Sequence, residues 1–406
     1  MRRLLCVVLA AIGIFACGRA DHGTVLTVSG SAVGKEGEIL QSQIARFMAA
    51  NPGVVVRIQH TPDDATQRHQ LYVQWLNARV GTPDVLQLDV VWTAEFAAAG
   101  WILPLDRFRP ETADFFPAAL DACRWRGTLY ALPWFLDAGM LYWRTDLMDR
   151  APRSLEELNA TAVRAMESSG VPAGIVWQGA RYEGLVTVFN EILGAYGGTI
   201  LTADGHVAVH SDAGVRALTF LRDQVRSRIA PAEVLTWHEE ECRFTFQNGN
   251  AVFMRNWPYA VAAMSDGSES RVAGRFAIAP MPAADGGHTT ATLGGAPLAI
   301  NAWTRHPELA YRLIAFLTAP EQMRERLRVV GQYPARISSY DDPALADVRP
   351  ILEAAVPRPA TPIWAELSSE LQVALHRTLT GAAEPETALD AAASRMQKLI
   401  DESGLR

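Results

Sequence analysis

The chain reads as an α/β protein built from two discontinuous lobes. Three observations predict this. Strand-like and helix-like segments alternate β-α-β-α-β between residues 24 and 89, the order of a mostly parallel sheet. Strand-like segments at 133–143 and 294–301 cross the expected lobe boundary, which favours a hinge over two beads on a string. No repeat, low-complexity tract or long linker interrupts the 406 residues, enough for two or three domains. Apolar residues at 49% and charged residues at 20% fit an ordinary globular protein. The formal charge of −7 argues against nucleic acid or an anionic membrane surface as the main partner.

The N-terminus reads as a targeting segment. Arg2 and Arg3 precede an apolar stretch, residues 4–16, too short to span a bilayer. Cys17 follows Ala16, as at a lipid-modified cleavage site, although Phe15 is a poor match to that motif. Residues 1–16 are expected to leave as a signal peptide, taking the charge to −9, with 17–22 as a lipidated tether. Secretion without lipid stays open. Of the four cysteines, Cys123 and Cys242 then remain, and they read as buried free thiols rather than a disulfide framework.

The elements follow in order. Residues 24–29 alternate as a strand. Residues 38–50 place Ile39, Leu40, Ile44, Phe47 and Met48 on one helical face, and Asn51-Pro52-Gly53 ends it. Residues 54–59 form a second strand, 66–79 a helix and 84–89 a third strand. A short helix at 92–99 ends at Gly100, and 125–130 reads as a hairpin around Arg126-Gly127. Residues 140–143 are a strand. Ser154-Leu155-Glu156-Glu157 is a capping box that opens a helix. Strands are expected at 174–177, 206–210, 251–254, 276–279 and 297–301. Helices are expected at 184–196, 212–226, 239–247, 307–317, 320–330 and over most of the chain beyond Pro362.

One stretch organises the rest: residues 246–259. It predicts a helix end, a turn at Asn248-Gly249-Asn250, a short buried strand, then Asn256-Trp257-Pro258-Tyr259. Proline restricts itself and the residue before it, so two rigid aromatic side chains are presented at a strand end, where α/β folds bind ligands. Local sequence leaves open that Trp257 and Tyr259 are core.

Motifs for chemistry are missing. His238-Glu239-Glu240-Glu241-Cys242 fails as a zinc-protease signature because cysteine replaces the second histidine. His206 and His210, on an expected strand, lie too far apart for one metal. There is no phosphate-binding glycine loop and no nucleophile elbow. Two of Glu38, Asp89 and Asp137 could act as the carboxylate pair of a glycoside hydrolase, if their separation suits.

Several blocks together carry a resemblance. They include Leu88-Asp89-Val90-Val91-Trp92, Gly100-Trp101-Ile102-Leu103-Pro104-Leu105-Asp106, Gly127-Thr128-Leu129-Tyr130-Ala131-Leu132-Pro133, Tyr182-Glu183-Gly184, Arg255-Asn256-Trp257-Pro258-Tyr259 and Leu293-Gly294-Gly295. In this order the chain resembles the extracellular solute-binding proteins of sugar ABC importers, most closely the trehalose/maltose-binding branch and its actinobacterial trehalose-binding lipoproteins. The resemblance implies the periplasmic-binding-protein fold, with a central cleft that closes on sugar. It implies lobe one at 23–132 plus 297–351, and lobe two at 133–296 plus 352–406. It implies no catalysis and no cofactor, permease subunits with their ATPase as partners, a monomer, and an extracytoplasmic protein anchored at Cys17.

Carried over by position, the resemblance implies a pocket of Glu38 (Glu36 in the alternative register), Arg68, Asp89, Phe135, Asp137, Trp257, Tyr259, Gly294, Gly295 and Arg358. Carboxylates accept from vicinal hydroxyls, Arg donates a planar fork, and aromatic faces cover the C–H faces of pyranose rings. Ala296 stands where relatives carry tryptophan, and Phe135 where they often carry tyrosine. A stacking platform and a hydroxyl are therefore missing. The implied ligand is an α-linked glucose disaccharide, trehalose first and maltose or a related α-glucoside next. The rival readings are a secreted glycoside hydrolase and a purely structural lipoprotein.

Overall fold

A computed structural model describes residues 23–30, 35–342, 345 and 348–404. The expected signal peptide, the tether and Cys17 lie outside the described residues.

The first lobe begins with β1 (Thr24–Gly30), α1 (Glu36–Ala49), β2 (Val54–His60), α2 (Ala65–Asn77) and β3 (Val85–Gln87). Helix α1 buries Ile39, Leu40, Gln43, Ile44 and Phe47, spaced i, i+4 and i+7 along one side. Asp64 caps α2 by accepting from the Gln67 amide at 2.9 Å. Strand β1 pairs in parallel with both β2 and β3. Then come α3 (Thr93–Ala98), α4 (Pro117–Asp121), and the hairpin of β4 (Arg124–Trp125) and β5 (Thr128–Leu129). Arg126 and Gly127 both have positive φ, as a two-residue hairpin turn demands.

Strand β6 (Ala131–Ala138) stays in the first sheet, and β7 (Met140–Arg144) enters a second one. The second lobe adds α5 (Leu155–Ser169), β8 (Ala173–Val176), the almost wholly buried α6 (Glu183–Ala195), α7 (Asp212–Arg226), α8 (Glu239–Gln247), β9 (Ala251–Asn256), α9 (Tyr259–Met264) and β10 (Phe276–Ala279). Strand β11 (Ala291–Ile300) returns to the first sheet. It is followed by α10 (Pro307–Leu317), α11 (Pro320–Val330), β12 (Tyr333–Pro334), α12 (Arg349–Glu353) and β13 (Ala355–Val356). Helices α13 (Trp364–Leu379) and α14 (Pro385–Ser403) then pack on α6 and α7 of the second lobe.

Among the described residues the first sheet has the order β12-β6-β11-β3-β1-β2, with β13 beside β11, and the second β10-β7-β9-β8. The first sheet is mixed rather than mostly parallel, because β6 and β11 run antiparallel to each other and β11 antiparallel to β3. Pro133 faces Pro297 at a bulge, where neither can donate to the ladder. Limits at 132/133 and 296/297 cut through β6 and β11, and the change of sheet after β6 falls at Gly139. Residues 206–210 form no strand: Val207 makes one isolated bridge to Leu201, and His210 engages Glu386 and Asp390 of α14. Cys123 and Cys242 are free and buried. Among the described residues no helix is long and apolar enough to cross a membrane.

A buried ion pair sits where the strands cross. Arg255 of β9 donates from Nε to Glu191 of α6 at 2.9 Å and from Nη1 to Gln178 at 3.1 Å. Its Nη2 donates to the other oxygen of Glu191, and both side chains are shut off from solvent. The Thr292 amide of β11 also donates to Glu191, at 3.3 Å. A Cβ at Gly139 would stand 1.8 Å from Glu191 Oε1 and 2.5 Å from Arg255 Nη2, so the crossing requires glycine there. Removing one partner strands a buried charge, which costs about 3–5 kcal/mol. Arg255→Met should therefore lose about that much stability in urea unfolding.

Candidate functional site

A cavity of about 370 Å³ lies between the lobes. Its walls are helix starts. Glu36 opens α1, Asp63 to Arg68 surround the start of α2, Glu183 opens α6, and Glu239 to Glu241 form the first turn of α8. The positive ends of these helices compensate the carboxylates gathered there. Its floor is strand: Phe135 and Asp137 on β6, Gly294 to Ala296 on β11. Trp257 and Tyr259 form the second-lobe side, and Arg358 closes one end. A larger groove of about 790 Å³ adjoins it at Arg358 but holds none of Glu36, Asp89, Asp137 or Trp257.

Nine of the ten residues expected to surround a ligand line this cavity. Glu38 does not. It is exposed on the solvent side of α1, and Glu36 is the carboxylate that reaches the cleft. The reason is helical register: Glu36, Leu40, Gln43 and Phe47 follow one stripe at i, i+4, i+7 and i+11, and Glu38 lies off it. Glu36 is held in place from behind. Gln332 donates to it at 2.6 Å and accepts from Arg326 Nε at 2.8 Å. The Arg326 guanidinium lies 3.9 Å from the Trp134 ring centroid and 5.6 Å from that of Phe135.

Trp257 is fixed on several sides. The Arg255 guanidinium covers one face of its ring at 3.9 Å. Its indole Nε1 donates to Glu239 at 3.2 Å, and its carbonyl accepts from Tyr142 at 2.7 Å. A Cβ at Gly294 would reach 3.0 Å from the ring edge, so glycine there makes room for the indole. Gly295, with φ at +105°, has the Phe135 carbonyl 2.2 Å from its Cβ position. Tyr259 donates its phenol to Glu240 at 2.7 Å. Both aromatics are thus aimed by the first turn of α8.

Arg358 joins the lobes. It donates from Nη2 to Asp89 at 3.0 Å and from Nη1 to Glu183 at 2.5 Å. Burial works against its charge, but Asp89 and Glu183 outweigh burial and hold the guanidinium above its ordinary range. Glu183 also accepts from Trp364 at 2.9 Å and from Ser368, which ties the cleft to α13. Arg68 donates from Nη1 to the Pro62 and Asp63 carbonyls at 2.8 and 3.1 Å. Asp89, Arg68 and Arg358 all line the cavity, and the Nε atoms of both arginines are buried and unpartnered among the described residues.

Among the residues that sequence reasoning missed are Asp63, Asp64, Tyr182, Glu183, Thr187, His238 to Glu241 and Gln332. The 238–241 run drew notice only as a failed metal motif; its other signal was an acidic run at a helix start. Gln332 and Arg326 carried no local signal at all.

Asp137 sits at the cavity floor with its Oδ1 buried and unpartnered. Burial pushes its carboxyl up, Glu36 and Asp89 add to this, Arg255 and Arg326 oppose it, and the result is a value of about 8. At neutral pH it carries a proton, so it can donate as well as accept. The native protein therefore holds a proton that the unfolded chain, with a carboxyl near 3.9, releases. Asp137 contributes stability that is full below about pH 4 and lost as pH rises through about 8. Asp137→Asn should flatten the decline in melting temperature between these limits, read by thermal melts at one-unit pH steps.

Comparisons with known proteins identify the family and the fold. Residues 31–324 match the family profile of the bacterial extracellular solute-binding proteins. The chain is 33% identical over 405 residues, 94% of its length and 95% of the relative, to a Deinococcus radiodurans protein named "Probable ABC transporter-binding protein". It is 38% identical to maltose-bound MalE3 of T. maritima, with a TM-score of 0.89 over 93% of this chain and all of that one. The GacH receptor of Streptomyces glaucescens, 23% identical with a TM-score of 0.83 over 94% of this chain and 99% of that one, shares the fold. The chain belongs to the bacterial extracellular solute-binding proteins, and its fold is the two-lobed one of that family.

Proposed function

We propose that this protein captures an α-linked glucose disaccharide between its lobes and hands it, chemically unchanged, to the permease subunits of an ABC importer and their ATPase. The observation that carries this is the cavity itself. A braced indole faces a floor with a protonated Asp137, and the carboxylates and guanidinium groups around them suit sugar hydroxyls. The maltose bound to a protein 38% identical supports a saccharide over other solutes. Trehalose and maltose are the leading ligands, followed by a related α-glucoside. Ala296, buried where a tryptophan would stack, leaves the second ring to hydrogen bonds.

The protein works as a monomer tethered outside the cytoplasmic membrane by a lipid on Cys17. The lobes divide near the three crossings at Gly139, at the start of β11 and after β13. The hydrolase reading is not adopted. Glu38 is outside the cavity, and Asp89 is engaged by Arg358, so neither is a free partner for Asp137 across a glycosidic bond.

A thermal-shift titration with trehalose, maltose, sucrose and glucose tests the ligand class. A ligand that binds only the folded form raises stability by RT ln(1 + [L]/Kd). One disaccharide should give a clear upward shift and be recovered intact by chromatography. No shift with any sugar would refute the saccharide reading, and released glucose would refute the binding role. Trp257→Ala should weaken the binding of that sugar at least about tenfold, or ~1.4 kcal/mol, in isothermal titration.

A further inference from the structure

We infer that Asp64 and His238 form a proton-dependent latch that holds the cleft shut, so that ligand capture takes up a proton. The two residues come from opposite lobes. Asp64 is the N-cap of α2 in the first, and His238 the N-cap of α8 in the second. Two helix starts thus meet end to end across the cavity, with His238 Nε2 3.1 Å from Asp64 Oδ2. The second Asp64 oxygen is already occupied by the Gln67 amide, and the His238 amide donates to Glu241 at 2.9 Å. Each partner is therefore fixed on its own lobe before the lobes meet.

The charged neighbours favour a protonated imidazole. Asp64, with Asp63 beside it, faces it from the start of α2, and Glu239 and Glu241 from its own helix. The Tyr182 ring, just before α6, lies 4.3 Å away between centroids. Arg68, on the first turn of α2, is engaged by the Pro62 and Asp63 carbonyls. Two converging helix starts would otherwise disfavour a cation. The hydrogen bond to Asp64 raises the affinity of His238 for its proton, burial opposes this, and the surrounding carboxylates leave it above the ordinary histidine value. Burial pushes Asp64 up, but its bonds to His238 and to the Gln67 amide outweigh this and leave it low.

When the lobes part, Asp64 and His238 separate and His238 returns toward its ordinary value near 6.5. The latch is then at full strength below that value and is lost as pH rises through the raised one. Asp64 limits it only on the acid side of the ordinary carboxylate range. At neutral pH closure binds part of a proton. His238 is 38% exposed and Asp64 15%, so the pair is partly screened by solvent and the gain is about two- to fivefold in affinity.

The latch rests on lobe closure, not on the identity of the sugar, and the test separates the two. Small-angle scattering of the sugar-free protein at pH 6 and pH 8 should give a smaller radius of gyration at pH 6. That difference should vanish in His238→Gln and in Asp64→Asn, with thermal melts showing both variants folded. Isothermal titration with maltose at pH 7 in phosphate and in Tris should show proton uptake in the native protein and less in His238→Gln, and binding about two- to fivefold tighter at pH 6 than at pH 8. A radius of gyration equal at both pH values, or an equal difference in His238→Gln, would overturn the latch. Absence of heat with maltose would count against maltose as the ligand and leave the scattering to decide the latch.

Discussion

The buried Arg255–Glu191 pair is the constraint on which the remaining structure depends. It neutralises two charges that water cannot reach, and its leftover hydrogen-bonding capacity goes to Gln178 and to the Thr292 amide. The pair lies against Gly139, where the chain changes sheets, and beneath Trp257, the main aromatic surface of the cleft. The hinge and the binding wall therefore share one electrostatic anchor. A shift of this guanidinium would displace the indole and the strand crossing together.

The cleft concentrates carboxylates, and its architecture explains how that is tolerated. Four helix starts point into it, and several of the carboxylates found there have partners of their own. Glu183 and Asp89 share Arg358, Glu240 holds Tyr259 and Arg243, and Glu36 is reached through Gln332 from Arg326. Asp137, at the floor, is instead protonated. A ligand rich in hydroxyl groups suits such a site because each group can donate and accept in turn. A hydroxyl missing or inverted would leave a buried partner unpaired, which costs about 1–3 kcal/mol.

Much of this was legible in the sequence because it rests on local patterns. The turn at Gly249, the short strand β9 and the Trp257-Pro258-Tyr259 stop follow from residue types alone. The capped start of α5 and the hairpin at Arg126-Gly127 do as well. Glu36 was also readable, since it continues the Leu40–Gln43–Phe47 stripe; choosing Glu38 put the carboxylate on the wrong side of α1. Other features rest on long-range contacts. The Asp64–His238 and Glu36–Gln332 pairs join residues 174 and 296 positions apart, and no local pattern announces such a meeting. The mixed first sheet arises from β6 and β11 inserting beside β3, which the early β-α-β-α-β order does not foretell.

The central claim is that walls from both lobes enclose an intact disaccharide. A crystal structure grown with maltose, and a second with trehalose, tests it most directly. The account predicts density for an uncleaved disaccharide with one ring against the open face of Trp257 and hydroxyls within hydrogen-bond reach of Asp137, Glu36 and Arg68. Density in the groove beyond Arg358, or an empty cleft at saturating sugar, would contradict it.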